Sequence, residues 1–261
     1  MAPLPDRDEL LALFDADERA LEPRVAEGRP YEFDGPLMRI EFRAAGLVRA
    51  PADLGVDGPP LEALIRRQVE HFAARGLPLE WKTYAGDRPD SLVPLLLASG
   101  FEPGPIEAIM VAASAELAAA APPPGVTVRD ADADEFAAIA GLLGEVWSTD
   151  HGWVAAELAT LRETHGDGLR VLVAESGGEL VSAAWTTMRP GERFAGLWGG
   201  STRPDHRRRG IYRALVAARA SVAHAQGVPF LRVDASEMSR PVLEALGFIQ
   251  LTTTTPYVWS P

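Results

Sequence analysis

Along the second half of the chain the apolar positions alternate between the two-residue period of a strand and the three-to-four-residue period of a helix. Val126 to Arg129 reads as a short strand. From Ala131 to Trp147, residues Phe136, Ile139, Leu142, Leu143 and Val146 fall on one helical face, and Val154 to Glu163 predicts a second helix. Leu169 to Glu175 and Leu180 to Met188 predict strands joined by a hairpin turn at Ser176-Gly177-Gly178-Glu179, and a turn at Pro190-Gly191 leads into a third, Phe194 to Thr202. Ile211 to Gln226 reads as a helix through Leu215, Val216, Ala218, Ala220 and Val222, ended by Gly227. A strand Phe230 to Ala235 follows, then a short helix Arg240 to Leu246 stopped by Gly247, and a last hairpin reaching Trp259. This order predicts a mixed α/β fold with a central mixed sheet.

The first half repeats part of the pattern. Pro60 to Arg75 reads as a helix ended by Gly76, Leu79 to Tyr84 as a strand, and Leu92 to Ser99 as a short helix stopped by Gly100-Phe101. Gly76-Leu77-Pro78 matches Gly227-Val228-Pro229, and Gly100-Phe101 matches Gly247-Phe248, at offsets of 151 (227 minus 76) and 147 (248 minus 101). The near-constant offset predicts a duplicated unit; chance recurrence of helix-Gly-strand units is the plainer alternative. Pro122, Pro123, Pro124 and Gly125 break the chain after an alanine run, so we expect domains at 1–120 and 126–261.

Composition narrows the classes. At 261 residues, 47% hydrophobic and 24% charged, the chain is that of a globular protein with a substantial core. No apolar run reaches the roughly 18 residues of a membrane helix, and the acidic N-terminal stretch lacks the layout of a secretory signal, so a cytoplasmic location is expected. With no cysteine, a disulfide scaffold, a thiolate nucleophile and thiolate metal sites are excluded. No His-Glu cluster has zinc-ligand spacing, and no metal is expected. The net charge of −12 argues against nucleic-acid binding; it favours a cationic partner or simply solubility.

One segment stands out against that acidity. Leu197 to Leu215 reads as a strand entering a basic turn that opens a helix. Unpaired N–H groups at a helix start suit a phosphate, Gly210 permits close backbone approach, and Arg207, Arg208, Arg209 and Arg213 supply charge. An exposed basic turn with no ligand is the competing reading.

Arg207-Arg208-Arg209-Gly210-Ile211-Tyr212 resembles the acyl-CoA signature Gln/Arg-x-x-Gly-x-Gly/Ala of the GNAT acetyltransferase superfamily. Farther on, Ser236-x-x-Ser239-x-x-x-Leu243-x-x-x-Gly247-Phe248 resembles that family's Asn-x-x-Ala-x-x-x-Tyr-x-x-x-Gly-Phe ending, so the resemblance covers about 126 to 261. It implies acetyl-CoA as acyl donor, with the pantetheine arm at Gly200, Ser201 and Thr202 and the pyrophosphate along Arg208 to Arg213. The first half looks like the later part of the same fold. Its segment Leu47 to Pro60 lacks the basic Gly turn, which marks a shortened, degenerate repeat without cofactor. The implied architecture is two tandem GNAT-like domains, similar in layout to tandem members such as mycothiol synthase.

The implied reaction is acetyl transfer to the primary amine of a small molecule, with a catalytically inactive acyl-CoA-binding or regulatory protein and a protein-lysine acetyltransferase as alternatives. Splaying of strands at Gly199-Gly200 and near Val233-Asp234 would admit the arm. Two departures matter. Tyr212 stands where the family has Gly or Ala, and Leu243 stands where it has its acidic Tyr. Phe194 to Thr202 also lacks the frequent Glu base. Tyr257 is then the candidate acid, against a plain core role, and Asp234 the candidate substrate-binding or water-assisted base, against a helix-capping role. His151 and Trp153, and Glu80, Trp81 and Tyr84, are further candidates for the acceptor pocket.

Overall fold

The computed structural model describes residues 4–117, 120–189 and 191–261; part of the alanine run (118–119), Pro190 of the expected turn and the first three residues of the N-terminal stretch lie outside them. In chain order the elements are α1 (Arg7–Glu18), β1 (Tyr31–Asp34), β2 (Leu37–Glu41), β3 (Gly46–Arg49), α2 (Pro59–Ala73), β4 (Leu79–Tyr84), α3 (Leu92–Ala98), β5 (Glu102–Pro103) and β6 (Glu107–Ala113). There follow α4 (Ser114–Leu117), β7 (Val126–Asp130), α5 (Phe136–Trp147), α6 (Trp153–His165), β8 (Leu169–Ser176), β9 (Glu179–Thr187), β10 (Phe194–Thr202), α7 (Ile211–Ala225), β11 (Phe230–Ala235), α8 (Arg240–Ala245) and β12 (Ile249–Trp259). No helix among the described residues is long and apolar enough to cross a membrane.

The chain forms two compact units. The first holds Pro5–Met110, Asp234–Pro241 and Gln250–Pro261; the second holds Val111–Val233 and Val242–Ile249. In the first, β1, β2 and β3 pair antiparallel in sequence, and α2 crosses over to bring β4 parallel to β3. Leu61, Leu64, Ile65 and Phe72 recur at helical spacing on α2 and are buried against Leu79 and Trp81 of β4. The helix comes so close to β3 that a Cβ at Gly46 would enter the Phe72 ring.

The expected terminal hairpin is corrected. Ile249–Trp259 is one strand of 11 residues, antiparallel to β4 with Thr254 opposite Tyr84 and Trp259 opposite Leu79. Four successive threonines, Thr252 to Thr255, favour extended backbone, and no Gly or Asn offers a tight reversal.

In the second unit β7, β8, β9 and β10 form an antiparallel meander and α7 crosses over to bring β11 parallel to β10. Strand alternation divides the core: Val171 and Val173 of β8 face α5 and α6, while Leu172 and Ala174 face Ile211 and Leu215 of α7. The expected helix over 131–147 is split, because Asp132 and Glu135 form a capping box around a short 3₁₀ turn before α5 begins at Phe136.

Each unit thus contains consecutive antiparallel pairings, two in β1–β3 and three in β7–β10, followed by a 15-residue helix and a parallel pairing. Both helices end alike. Gly76 and Gly227 adopt positive φ (64° and 76°), and Leu77 N–H bonds Phe72 O as Val228 N–H bonds Ala223 O, at 3.1 and 2.9 Å. Counting back from these caps at the offset of 151 places Pro59 opposite Gly210, Pro60 opposite Ile211, Leu61 opposite Tyr212 and Gln68 opposite Arg219.

Candidate functional site

β10 runs opposite β9 until Trp198 meets Trp185, then shifts register before Ser201 resumes opposite Ala183. The bulge falls on the two glycines. Gly199 has φ 61°, and a Cβ there would enter the Trp185 ring, so the sequence specifies the bulge through residues without side chains. On the other edge, parallel pairing with β11 runs from Phe194/Phe230 to Gly196/Arg232 and no further. The strands part just before the bulge. Trp198 is fixed beside the gap by its N–H bond to Thr187 Oγ1 at 2.9 Å and by the Arg232 guanidinium 4.5 Å above its ring.

Beyond the bulge, Ser201 is 2% exposed; its Oγ accepts the Trp147 indole N–H at 2.8 Å and its carbonyl accepts the Ser182 hydroxyl at 2.7 Å. Thr202 Oγ1 lies 2.8 Å from Ser182 Oγ, and its carbonyl accepts Arg207 Nε at 3.1 Å. A 3₁₀ turn over Pro204–His206 then delivers the chain to the head of α7. Arg208 (φ 60°) and Gly210 (φ 84°) both take left-handed backbone.

Arg207 N–H bonds Pro204 O, and Ala214 N–H is the next to find a backbone acceptor, at Gly210 O. Between them, the N–H groups of Arg208 to Arg213 have no acceptor among the described residues. Arg207, Arg208, Arg209 and Arg213 are all exposed. A Cβ at Gly210 would meet open space. The site therefore presents a run of outward amides, the positive end of a helix dipole and four guanidinium groups, which suits a diphosphate.

The ring of Tyr212 leans back toward β10: a Cβ at Gly200 would lie 2.8 Å from Tyr212 Cε2. It is packed on the bulge rather than drawn across the amides. Arg219, two turns later, is 1% exposed, and burial pushes its pKa down to about 10, leaving it a cation at neutral pH.

The equivalent helix head in the first unit is built differently. α2 opens with Pro59 and Pro60, which carry no N–H, and Asp57 rather than arginine precedes it, its carboxylate accepting Gly58 N–H at 2.6 Å. Two donors of the cradle are missing there and the flanking charge has the opposite sign.

The remaining candidates, apart from His151 and Trp153, fall in the first unit. Tyr257 sits opposite Trp81, 8% exposed and packed in that unit's core; it also lines a cleft of about 340 Å³ with Thr83, Asp87, Thr253 and Thr255. Asp234 bonds the Lys82 ammonium, which also lies 3.6 Å from Glu107. The turn before α8 is closed by Ser236 instead, which bonds Ser239 and accepts Arg240 N–H at 2.9 Å. Burial works against the charge on Lys82, but the carboxylates of Asp234 and Glu107 and the phenol of Tyr84 outweigh it, so its pKa is raised. Leu243 is fully buried. His151 stacks on Trp153 at 6.2 Å in the second unit, and Trp153 is 61% exposed. Among the described residues no group of three or more His, Asp or Glu is placed to hold a metal ion.

Two residues escape the sequence reading. Lys82 is the chain's single lysine, a signal in itself where arginine supplies every other cationic side chain of this type. Arg219 follows Leu215 by four residues and so falls on the buried stripe of α7.

Residues 127–248 match the family model described as the acetyltransferase (GNAT) family. The fold is similar to that of a GCN5-related N-acetyltransferase from Kribbella flavida, at 18% identity and a TM-score of 0.74 over 97% of this chain and 96% of that one. A tandem GNAT protein from the clavulanic acid biosynthesis pathway is similar at 15% identity and a TM-score of 0.64, over 97% and 95% of the two chains. A GCN5-related N-acetyltransferase from Sphaerobacter thermophilus gives 16% and 0.61 over 86% and 76%. At such identities the likeness is one of fold. No curated protein matches the chain.

Proposed function

We propose that the protein, whose residues 127–248 match the acetyltransferase (GNAT) family model, transfers an acetyl group from acetyl-CoA to the primary amine of a small molecule. One observation carries this reading: the row of N–H groups from Arg208 to Arg213 without internal acceptors, ringed by exposed arginines at the head of a 15-residue helix. The parting of β10 and β11 past Gly196 and the bulge at Gly199-Gly200 support it, since they leave strand-edge backbone for an extended arm. In the reaction the amine nitrogen attacks the thioester carbonyl carbon, the carbon–sulfur bond breaks, and a proton from the amine passes to the departing thiolate.

The test is acetyl-CoA titration by calorimetry, followed by thiol release across a panel of amines. Gly210→Glu places a carboxylate in open space at the cradle; its cost to the fold is the left-handed φ, about 1 kcal/mol. The variant is expected to lose at least tenfold in acetyl-CoA affinity with an unchanged circular dichroism spectrum. Unchanged affinity would overturn the assignment.

A second reading, acyl-CoA binding without turnover, draws on one feature: Leu243 occupies the position of the family's tyrosine and is fully buried, and β10 carries no carboxylate. Tight binding with no thiol release from any amine or protein lysine would select it.

A further inference from the structure

Arg219 is a fully buried guanidinium in the second unit with no carboxylate beside it among the described residues. Its Nε donates to Leu215 O, one turn back, at 3.0 Å. The side chain thus runs toward the head of α7, as helical side chains do. Nη1 reaches two carbonyls at the edge of the bulge, Trp185 O at 3.3 Å and Trp198 O at 3.4 Å. Nη2 is buried without a hydrogen-bond acceptor among the described residues. Tyr212 stands seven residues earlier on the same face, about 10 Å along the axis, and its phenol works against the burial that disfavours the charge on Arg219. Both long side chains close that gap, and both touch the strand at 198–200: Arg219 through Trp198 O, and Tyr212 through the space over Gly200.

The other unit supplies an internal comparison. Opposite Arg219 stands Gln68, also fully buried and also bonding the carbonyl one turn back, Leu64 O at 2.8 Å. Its other bonds go to Asp34 of β1 and Arg39 of β2, and Leu61 stands where Tyr212 stands in the second unit. The neutral glutamine with a leucine accompanies the helix that opens on two prolines. The arginine with a tyrosine accompanies the helix that opens on a glycine and a row of amides.

We propose that Tyr212 and Arg219 are positioning residues, a strut that fixes the β10 bulge relative to the head of α7, so that the strand receiving the arm of acyl-CoA is held in register with the amides receiving its diphosphate. The proposal rests on the acyl-CoA reading of the cradle. It accounts for the tyrosine that breaks the family signature, because the ring fills the hollow over Gly200 on the helix whose Arg219 holds the Trp198 carbonyl.

The strut separates two parts of one ligand, and the test uses that. Calorimetry on the full chain measures acetyl-CoA and ADP, the latter carrying the diphosphate without the arm. Tyr212→Phe keeps the ring over Gly200 and removes the hydroxyl. Arg219→Gln installs the residue that the first unit already carries at this position. Each is expected to weaken acetyl-CoA at least tenfold while ADP stays within twofold of the parent. The double variant should be no weaker than the worse single one, because either change alone releases the strut. An unchanged acetyl-CoA affinity in Tyr212→Phe, or equal losses for both probes, overturns the proposal. Should Arg219→Gln fail to fold, Tyr212→Phe decides alone. If the parent protein binds neither probe, it is the acyl-CoA reading that falls, a result distinct from binding that the variants leave unaltered.

Discussion

Glu80 faces an unfavourable environment in the first unit. Burial is the largest influence on its carboxyl, and the nearby charges of Glu107 and Asp234 add to it while Lys82 opposes them; the net shift is upward from the ordinary value of 4.5. A carboxyl whose folded pKa is raised binds its proton more tightly in the native state than in the unfolded chain. Its contribution is therefore stabilising below the unfolded value and is lost as pH rises through the folded one. Glu80→Gln removes that titration. The difference in melting temperature between Glu80→Gln and the parent should grow in favour of the variant between pH 4.5 and pH 7.5, as followed by differential scanning calorimetry. A difference that is flat over this range would mean that the carboxylate is accommodated as well as the acid. The cluster was only partly legible in the sequence: Glu80 and Asp234 stood out as charges on strands, but a lysine that binds one of them from 152 residues away leaves no local pattern.

At the scale of elements, the two helix heads differ in what they offer a ligand. α7 opens on Gly210 and outward amides, whereas α2 opens on Pro59 and Pro60 with Asp57 ahead of it. The cradle reading thus predicts one equivalent of acetyl-CoA per chain; a calorimetric stoichiometry of two would show that proline and aspartate at a helix head do not prevent binding. This contrast was legible in advance, because proline, glycine and arginine act through backbone donors and charge that residue identity fixes. So were β4, β10 and β11, whose expected bounds coincide with the observed ones. Arg219 was not, since an arginine on an apolar stripe reads as an interruption until the carbonyls of Trp185 on β9 and Trp198 on β10 are seen to accept from it. The strands β1 to β3 were missed for a related reason. They are only 4 or 5 residues each, and β1 is largely exposed, so their two-residue alternation is too brief to register.

At the scale of the molecule, β12 is where sequence order and spatial order part. A run of threonines announces a strand but not its partner, and a nearby hairpin is the economical guess when loop closure alone is considered. Tertiary packing decides otherwise. Tyr257 completes the first unit's core opposite Trp81, and Trp259 packs beside it, with its ring 3.6 Å from where a Cβ would stand on Gly100. The last twelve residues are therefore a structural part of a unit most of whose chain lies before residue 111. Ending the chain at Ile249 removes one side of β4's hydrogen-bond ladder together with two large aromatic side chains. Loss of a single buried aromatic costs about 3–5 kcal/mol, and a domain holds only about 5–15 kcal/mol in all. The truncated chain is expected to lose native protection of the first unit, seen as rapid amide hydrogen exchange throughout β2, β3 and β4. Retained slow exchange in β4 would mean that its register is held by β3 and α2 alone, and that the carboxy-terminal strand adds little to the unit it joins.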